Sequence, residues 1–503
     1  MMQTERQREL APSPIFEPLR FSSGLVVKNR LFRSNVSGRF DNYNGSGTET
    51  RIRWEESFAR GGVGGIISSF TPVSVPGRIL PNYAMIDDDD KTPFWRALGK
   101  RVHAAGATAF PNDPTQTQEC RFIMQLSHSG RQQDIGGIEN RYDLALSSTS
   151  RPDYFHGILC RAMTQSEIHR VVRQFGDGAR RAQDAGLDGV ELHGANGYLI
   201  TQFLSSAIND RRDGYGGSVR NRARFVLEIL EAIRSRTDRF HVQMKINAED
   251  FDNALYPWRK RGNRLDETLE ICELLKSQAG IDAIHVSSGS IFPHPRNPPG
   301  DFPLREVNDW YDSMISSGIR TRFNAFIFRR PVLGPLFRWW WNKRRGTAFE
   351  HIKDGVNLDF AATIKEAVGD DVKVIVTGGF QHRQVIESAV ATGKVDAVSI
   401  ARPLIANRDL PKLFHAGMDW PDAAFVPLER WPIESRHPCT YCNKCLMNDV
   451  ENPLGCYDET RYREYGEKSY ERMMEKVMEV FPTWEERPET CDAPGDQERV
   501  PAA

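Results

Sequence analysis

A closed (β/α)8 barrel is the fold this sequence predicts, and three observations predict it. Eight short, nearly continuous apolar runs recur between residues 29 and 403. Each is followed by a polar or glycine-rich turn and then by a stretch with helical periodicity. Runs without apolar/polar alternation suit strands buried on both faces, as in a parallel sheet covered by helices. Eight such units favour closure into a barrel over an open doubly wound sheet.

The runs, in order, are NRLFRSN (29–35), GVGGIISSF (62–70), RFIMQLSH (121–128), GVELHG (189–194), HVQMKIN (241–247), AIHVSSG (283–289), VKVIVTGG (372–379) and AVSIARP (397–403). The helices between them have independent support. Thr164 and Glu167 have capping-box spacing, after which Ile168, Val171, Val172, Phe175, Ala179 and Ala182 share one helical face. Ser218 is placed to cap a second helix, whose apolar face is Phe225, Val226, Ile229, Leu230 and Ile233. The barrel is expected over residues 15–415. Two segments break the rhythm: an insertion at 290–356, far longer than an ordinary βα loop, and an extension over 416–503.

Composition excludes several classes. Of 503 residues, 39% are hydrophobic and 26% charged, and 66 Lys plus Arg balance 67 Asp plus Glu. This is ordinary globular composition, with no net field toward nucleic acid. No apolar window is long enough to span a bilayer, and the charged start MMQTERQREL lacks the apolar core of a secretory signal. Eight cysteines are too few for a disulfide scaffold in so long a chain. A cytoplasmic location is the expectation.

Barrels of this kind gather their reactive groups at the carboxyl ends of the strands. Polar residues sit there throughout: Ser37, Gln125, His128, His193, Asn196, Lys245, Gly378 with Gly379, and Arg402. The last two ends point to phosphate. VIVTGGF exposes backbone N–H groups with no side chain in the way, and Arg402 in the next strand end supplies a bidentate guanidinium.

LVVKNRLFRS, QLSHSGRQ, GVELHGANGYLITQFLSSAINDRRDGYGGSVRNRARF and VIVTGGF carry a resemblance. From about residue 15 to 415 the chain resembles the Old Yellow Enzyme family of NADH:flavin oxidoreductases, particularly the branch related to 2,4-dienoyl-CoA reductase. The resemblance implies FMN in the barrel mouth, NAD(P)H as electron donor and an activated alkene as small-molecule substrate. Gln125 takes the place of the amide on the flavin's pyrimidine edge, Lys245 of the cation beside flavin N1, and Ser37 of the hydroxyl near N5. His193 and Asn196 resemble the pair that grips the substrate carbonyl, and Tyr198 the proton donor. A phenol stays protonated at neutral pH yet can protonate a carbanion-like carbon.

The chain departs from the family pattern in five places. Asn35 and Val36 follow the first strand where many relatives have other residues, and Lys245 replaces the usual arginine. Cys439, Cys442, Cys445 and Cys456, spaced x2, x2, x10, resemble the [4Fe-4S] ligands of the dienoyl-CoA reductase branch, but the middle spacing is one residue short. Zinc and reduced thiols stay open beside the cluster. A chain ending near residue 500 is expected to lack the additional nucleotide-binding domains of that branch, so that NAD(P)H delivers electrons directly. The insertion contains RRPVLGPLFRWWWNKRR, whose tryptophans and cations suit either a lid packed on the barrel mouth, the favoured reading, or peripheral membrane docking through 325–345. The rival functions are a phosphate-binding lyase or aldolase with Lys245 as Schiff-base nucleophile, and a non-catalytic flavin-binding or membrane-docking module.

Overall fold

The computed structural model of the chain describes residues 13–36, 38–133, 144–153, 157–251, 261–289, 299–314, 319–344, 355–419, 437–448 and 452–482. All eight expected strands form: β1 Leu31–Arg33, β2 Gly65–Ile67, β3 Arg121–Ser127, β4 Gly189–Gly194, β5 His241–Asn247, β6 Ala283–Ser287, β7 Lys373–Thr377 and β8 Ala397–Ile400. Each pairs in parallel with the next, and β8 returns to β1, so the sheet closes. Six of the flanking helices are α1 Glu49–Arg60, α2 Thr92–Ala107, α3 Gln165–Asp184, α4 Val219–Arg234, α5 Leu265–Ala279 and, after the insertion, Leu358–Val368.

Local signals account for the helix starts. The Thr164 hydroxyl accepts from Glu167 N at 3.3 Å, and the Glu167 carboxylate accepts from Thr164 N at 2.9 Å, so both halves of the capping box are made. Ser218 accepts from Asn221 N at 3.3 Å. The apolar faces expected of α3 and α4 are the faces they bury.

The barrel interior is layered, because alternate residues of every strand point inward. At the amino ends lie Phe32, Ile67, Ile123, Ala283, Ile375 and Ala397, plugged from below by Leu19, Phe21 and Val27 of a short antiparallel hairpin. Above them the layer turns polar. Glu191 accepts from Gln125 Nε2 at 2.7 Å and Gln243 Nε2 at 2.6 Å, and pairs with His285 Nδ1 at 2.8 Å, while His285 Nε2 meets the Ser399 hydroxyl at 2.9 Å. Burial opposes the Glu191 charge, yet His285, Lys245 and the Gln243 hydrogen bond hold its carboxyl well below the usual range. The carboxyl ends of the strands form the third layer and open into a cavity.

The insertion folds as three helices, α6 Leu304–Met314, α7 Ile319–Arg329 and α8 Leu333–Arg344. Their shared core contains Phe302, Val307, Trp310, Tyr311, Phe328 and Trp341. Among the described residues, no helix is long and apolar enough to cross a membrane.

Candidate functional site

The stretch HGANGY is positioned by backbone conformation. β4 ends at Gly194, and Asn196 and Gly197 then take φ of 60° and 83°, the left-handed region that asparagine and glycine tolerate best. Asn196 N donates to Asn247 Oδ1 at 3.2 Å, anchoring the turn to the end of β5. The reversal folds Tyr198 back beside His193, with ring centroids 4.7 Å apart, and Phe70 stands edge-on to Tyr198 at 5.0 Å.

These residues line a cavity of about 1590 Å³, open mouth included, at the carboxyl ends of the strands. Lys245, Gly378, Gly379 and Arg402 line it too, so the structure brings together seven of the nine catalytic and flavin-binding residues expected from sequence. Gln125 is fully buried one layer below, bonded to Glu191, with its Oε1 unpartnered and no place on the cavity wall. Ser37 lies outside the described residues.

The electrostatics have one sign. Among the described residues the wall carries three permanent or titratable cations, Arg39, Lys245 and Arg402, and no carboxylate. Burial lowers Lys245 to about 8, although the Glu191 charge works in the opposite direction. Its ammonium donates to Asn35 Oδ1, which explains one departure in the first loop: Asn35 supplies the acceptor that holds Lys245 against β1. Burial, and secondarily Lys245, lowers His193 to about 3, so its imidazole is neutral at physiological pH and carries one N–H. His193 Nδ1 and Asn196 Oδ1 are buried with no partner in the protein. Such atoms are costly unless something binds them.

The residues present fit a phosphorylated flavin. Gly378 has φ of 141°, and a Cβ there would stand 2.7 Å from Asn357 Nδ2, so the turn admits no side chain. Asn357 Nδ2 donates to Thr377 O at 2.7 Å and the Tyr441 hydroxyl to Gly379 O at 2.5 Å, clamping the turn from both sides. Arg402 Nη1 donates to Pro299 O at 2.5 Å and to Asn443 Oδ1, and its guanidinium lies over the Tyr441 ring at 4.9 Å. A phosphate would share this fork with those acceptors. Ser287, Ser288 and Asn357 also line the wall and were not singled out from sequence, though the SSG after the sixth strand has the polar-end pattern. Tyr441 and Trp310 lay in segments where no local signal points to the barrel.

A pH dependence follows from Lys245. The protonated form attracts an anionic cofactor, so FMN affinity is expected to hold below about pH 8 and fall as pH rises beyond it, by up to roughly tenfold per unit. Lys245→Arg keeps its charge and should flatten the profile; equilibrium dialysis at several pH values would show this, and a steep fall persisting in that variant would contradict it.

Cys439, Cys442, Cys445 and Cys456 surround a smaller cavity of about 300 Å³ together with Arg402 and Arg461. Arg461 Nη1 donates to Cys456 Sγ at 3.3 Å and Tyr441 N to Cys439 Sγ at 3.4 Å. Burial pushes Cys439 up to about 12 and also raises Cys442 and Cys445. Among the described residues, no three Cys, His, Asp or Glu side chains are arranged to hold a metal ion. The four cysteines are half-buried, and no chemical step is assigned to them. Arg402 and Tyr441 nonetheless join this pocket to the larger cavity.

A sequence profile of the NADH:flavin oxidoreductase / NADH oxidase family matches residues 14–255. An NADPH dehydrogenase of Halalkalibacterium halodurans is 34% identical over 274 residues, which cover 54% of this chain and 72% of that protein. An NADH oxidase of Thermoanaerobacter brockii is 29% identical over 450 residues, covering 88% of this chain and 58% of that one. A cinnamate reductase of Clostridium sporogenes is 26% identical over 489 residues, covering 93% and 61%. The chain thus spans about three-fifths of the length of these last two relatives. Among solved structures, a 2-naphthoyl-CoA reductase complex superposes with a TM-score of 0.65 at 22% identity, covering 88% of this chain and 56% of that one. An old yellow enzyme homologue from Zymomonas mobilis superposes at 0.55 with 21% identity, covering 81% and 93%, and both likenesses agree with the barrel described above. The chain belongs to the NADH:flavin oxidoreductase / NADH oxidase family.

Proposed function

We propose that this chain is an FMN-dependent reductase that uses NAD(P)H to reduce an activated alkene conjugated to a carbonyl group. The observation that carries the reading is the juxtaposition, on a cation-lined wall, of a neutral His193 and Asn196 with unpartnered buried atoms and of Tyr198 packed against His193. Bound FMN would supply hydride transfer, taking it from the nicotinamide and giving it to the alkene's β-carbon.

The chain's own residues do the rest. As hydride adds to the β-carbon, negative charge moves onto the carbonyl oxygen. His193, neutral with one N–H, and the Asn196 carboxamide are the donors for that oxygen, and preorganised donors of this kind contribute ~10² to 10³ in rate. Tyr198 then provides the proton for the α-carbon. Lys245 and Arg402 fix the anionic cofactor, and the cluster of Phe70 and Tyr83 packs against the Tyr198 ring and positions it. The relative named as a cinnamate reductase supports a conjugated acid or ester as substrate class.

Phenols mimic the enolate, so a simple phenol is expected to bind the FMN-loaded protein and to lose roughly tenfold or more in affinity in both His193→Ala and Asn196→Ala. Unchanged affinity in both would remove the carbonyl grip. The low pKa of Lys245 would also suit a Schiff-base nucleophile. Covalent trapping of a carbonyl substrate on Lys245 by borohydride would overturn the reductase reading in favour of a lyase.

A further inference from the structure

The insertion presents two faces of different character. Its inner face is the aromatic core described above, in which Phe302 and Trp341 have ring centroids 5.2 Å apart, and through Trp310 it reaches the wall of the active-site cavity. Its outer face is apolar and exposed. Phe323 and Phe326 on α7, Val332 in the turn, and Leu333, Leu336 and Trp339 on α8 are each between 43% and 72% exposed. They are six of the eleven large hydrophobic side chains exposed among the described residues. Single exposed hydrophobics are ordinary, but more than half of them on one helical hairpin is a patch.

The spacing makes each helix a stripe. Phe323 and Phe326 within α7, and Leu333, Leu336 and Trp339 within α8, stand three residues apart and share a helical face, while Arg330 and Val332 lie in the connection between the two helices. Each stripe ends in a cation over an aromatic ring: Arg330 lies 4.1 Å from the Phe326 centroid and Lys343 5.1 Å from that of Trp339.

The charge around the patch has one sign. Between Asp312 and Glu350 the chain carries eight Lys and Arg and no Asp or Glu, although its net charge is only -1. Arg322, Arg329, Arg330, Arg338 and Lys343 are exposed, and Arg338 meets Asp301 at 2.5 Å. A second copy of the same patch would bring these cations against one another, and a nucleic acid offers nothing to Val332 or Leu336. An anionic lipid surface satisfies both parts, apolar side chains at the acyl boundary and cations at the phosphates.

We propose that the α7–α8 hairpin is a peripheral docking element for membranes rich in anionic phospholipid. It lies on the bilayer and does not cross it. Because α6 joins the same core and supplies Trp310 to the cavity, a docked enzyme holds its cavity close to the lipid phase, where an apolar substrate concentrates. The docking rests on the hairpin alone and stands whether or not the alkene chemistry does.

The full-length, FMN-loaded protein is to be sedimented with phosphatidylcholine vesicles and with vesicles that also contain phosphatidylglycerol. Binding is expected to the mixed vesicles, weakening as salt is raised, with little binding to pure phosphatidylcholine. Two variants probe the two parts, Phe326→Ser with Val332→Ser and Leu336→Ser, and Arg329→Glu with Arg330→Glu. Each should lower the partition coefficient roughly tenfold or more while circular dichroism stays that of the parent. The proposal is overturned if the parent protein does not sediment with mixed vesicles, if its binding ignores salt, or if neither variant reduces it. A concentration-dependent dimer of the parent that the apolar variant converts to monomer would also overturn it, in favour of self-association.

Discussion

Replacing Glu191 by alanine is expected to destabilise the protein by about 3–5 kcal/mol, the scale measured when one partner of a buried charged network is removed. Glu191 is fully buried and is the acceptor on which Gln125, Gln243 and His285 converge. Alanine leaves two amides and an imidazole without their common partner in a space water does not reach, and it also removes the counter-charge that helps keep Lys245 protonated. Glu191→Gln keeps one acceptor oxygen and the side-chain volume, so it should lose clearly less. Urea unfolding of the three proteins would settle the order; a loss below about 1 kcal/mol for Glu191→Ala would mean that the polar layer relaxes around the gap and that the network is not a structural keystone.

The largest effect on catalysis is expected from Tyr198→Phe. Removing the phenol hydroxyl leaves the ring packing against His193 and Phe70 in place, at 4.7 and 5.0 Å, and deletes the proposed proton source. Alkene reduction should slow roughly 10²- to 10⁴-fold, the range typical of a positioned general acid. Flavin reduction by NAD(P)H transfers no proton through this residue and should stay within about twofold. Rapid mixing resolves the two half-reactions, and equal slowing of both would assign Tyr198 to cofactor placement instead of proton transfer.

The barrel was legible because its signals are local. Apolar runs, the Thr164–Glu167 box and the apolar faces of α3 and α4 depend on residues within a few turns of each other, and each formed as expected. His193, Asn196, Lys245, Gly378, Gly379 and Arg402 were legible because the end of a barrel strand faces the cavity, and Tyr198 through the family resemblance of its segment; all seven line the cavity. Gln125 has the same strand-end look, but the sheet register places it level with Glu191 and Gln243, whereas Lys245 is level with His193, so its side chain lies one layer lower, beside Glu191.

What stayed hidden is long-range. Nothing near Tyr441 indicates that its hydroxyl reaches Gly379, sixty-two residues earlier, or that its ring lies under Arg402. The Asn35–Lys245 bond joins residues 210 positions apart, so Asn35 looked like a departure from a pattern when it is a partner. In the insertion, three adjacent tryptophans could not share a destination, since successive residues turn by about 100° around a helix. Trp341 enters the insertion's own core, Trp340 is half-buried, and Trp339 is 57% exposed. The expectation that this triplet packs on the barrel mouth is replaced by a different arrangement, in which Trp310 of α6 is the insertion's tryptophan on the cavity wall.

The most direct test of the account is an anaerobic reduction and reoxidation cycle followed by absorbance. Protein loaded with FMN is mixed with NADH or NADPH until the yellow band bleaches, freed of excess nucleotide, and then mixed with an α,β-unsaturated carbonyl compound. The band is expected to bleach and the alkene to restore it, with one alkene saturated per flavin. Failure to bleach, or bleaching that oxygen reverses but conjugated alkenes do not, would contradict the assignment of this cavity to alkene reduction.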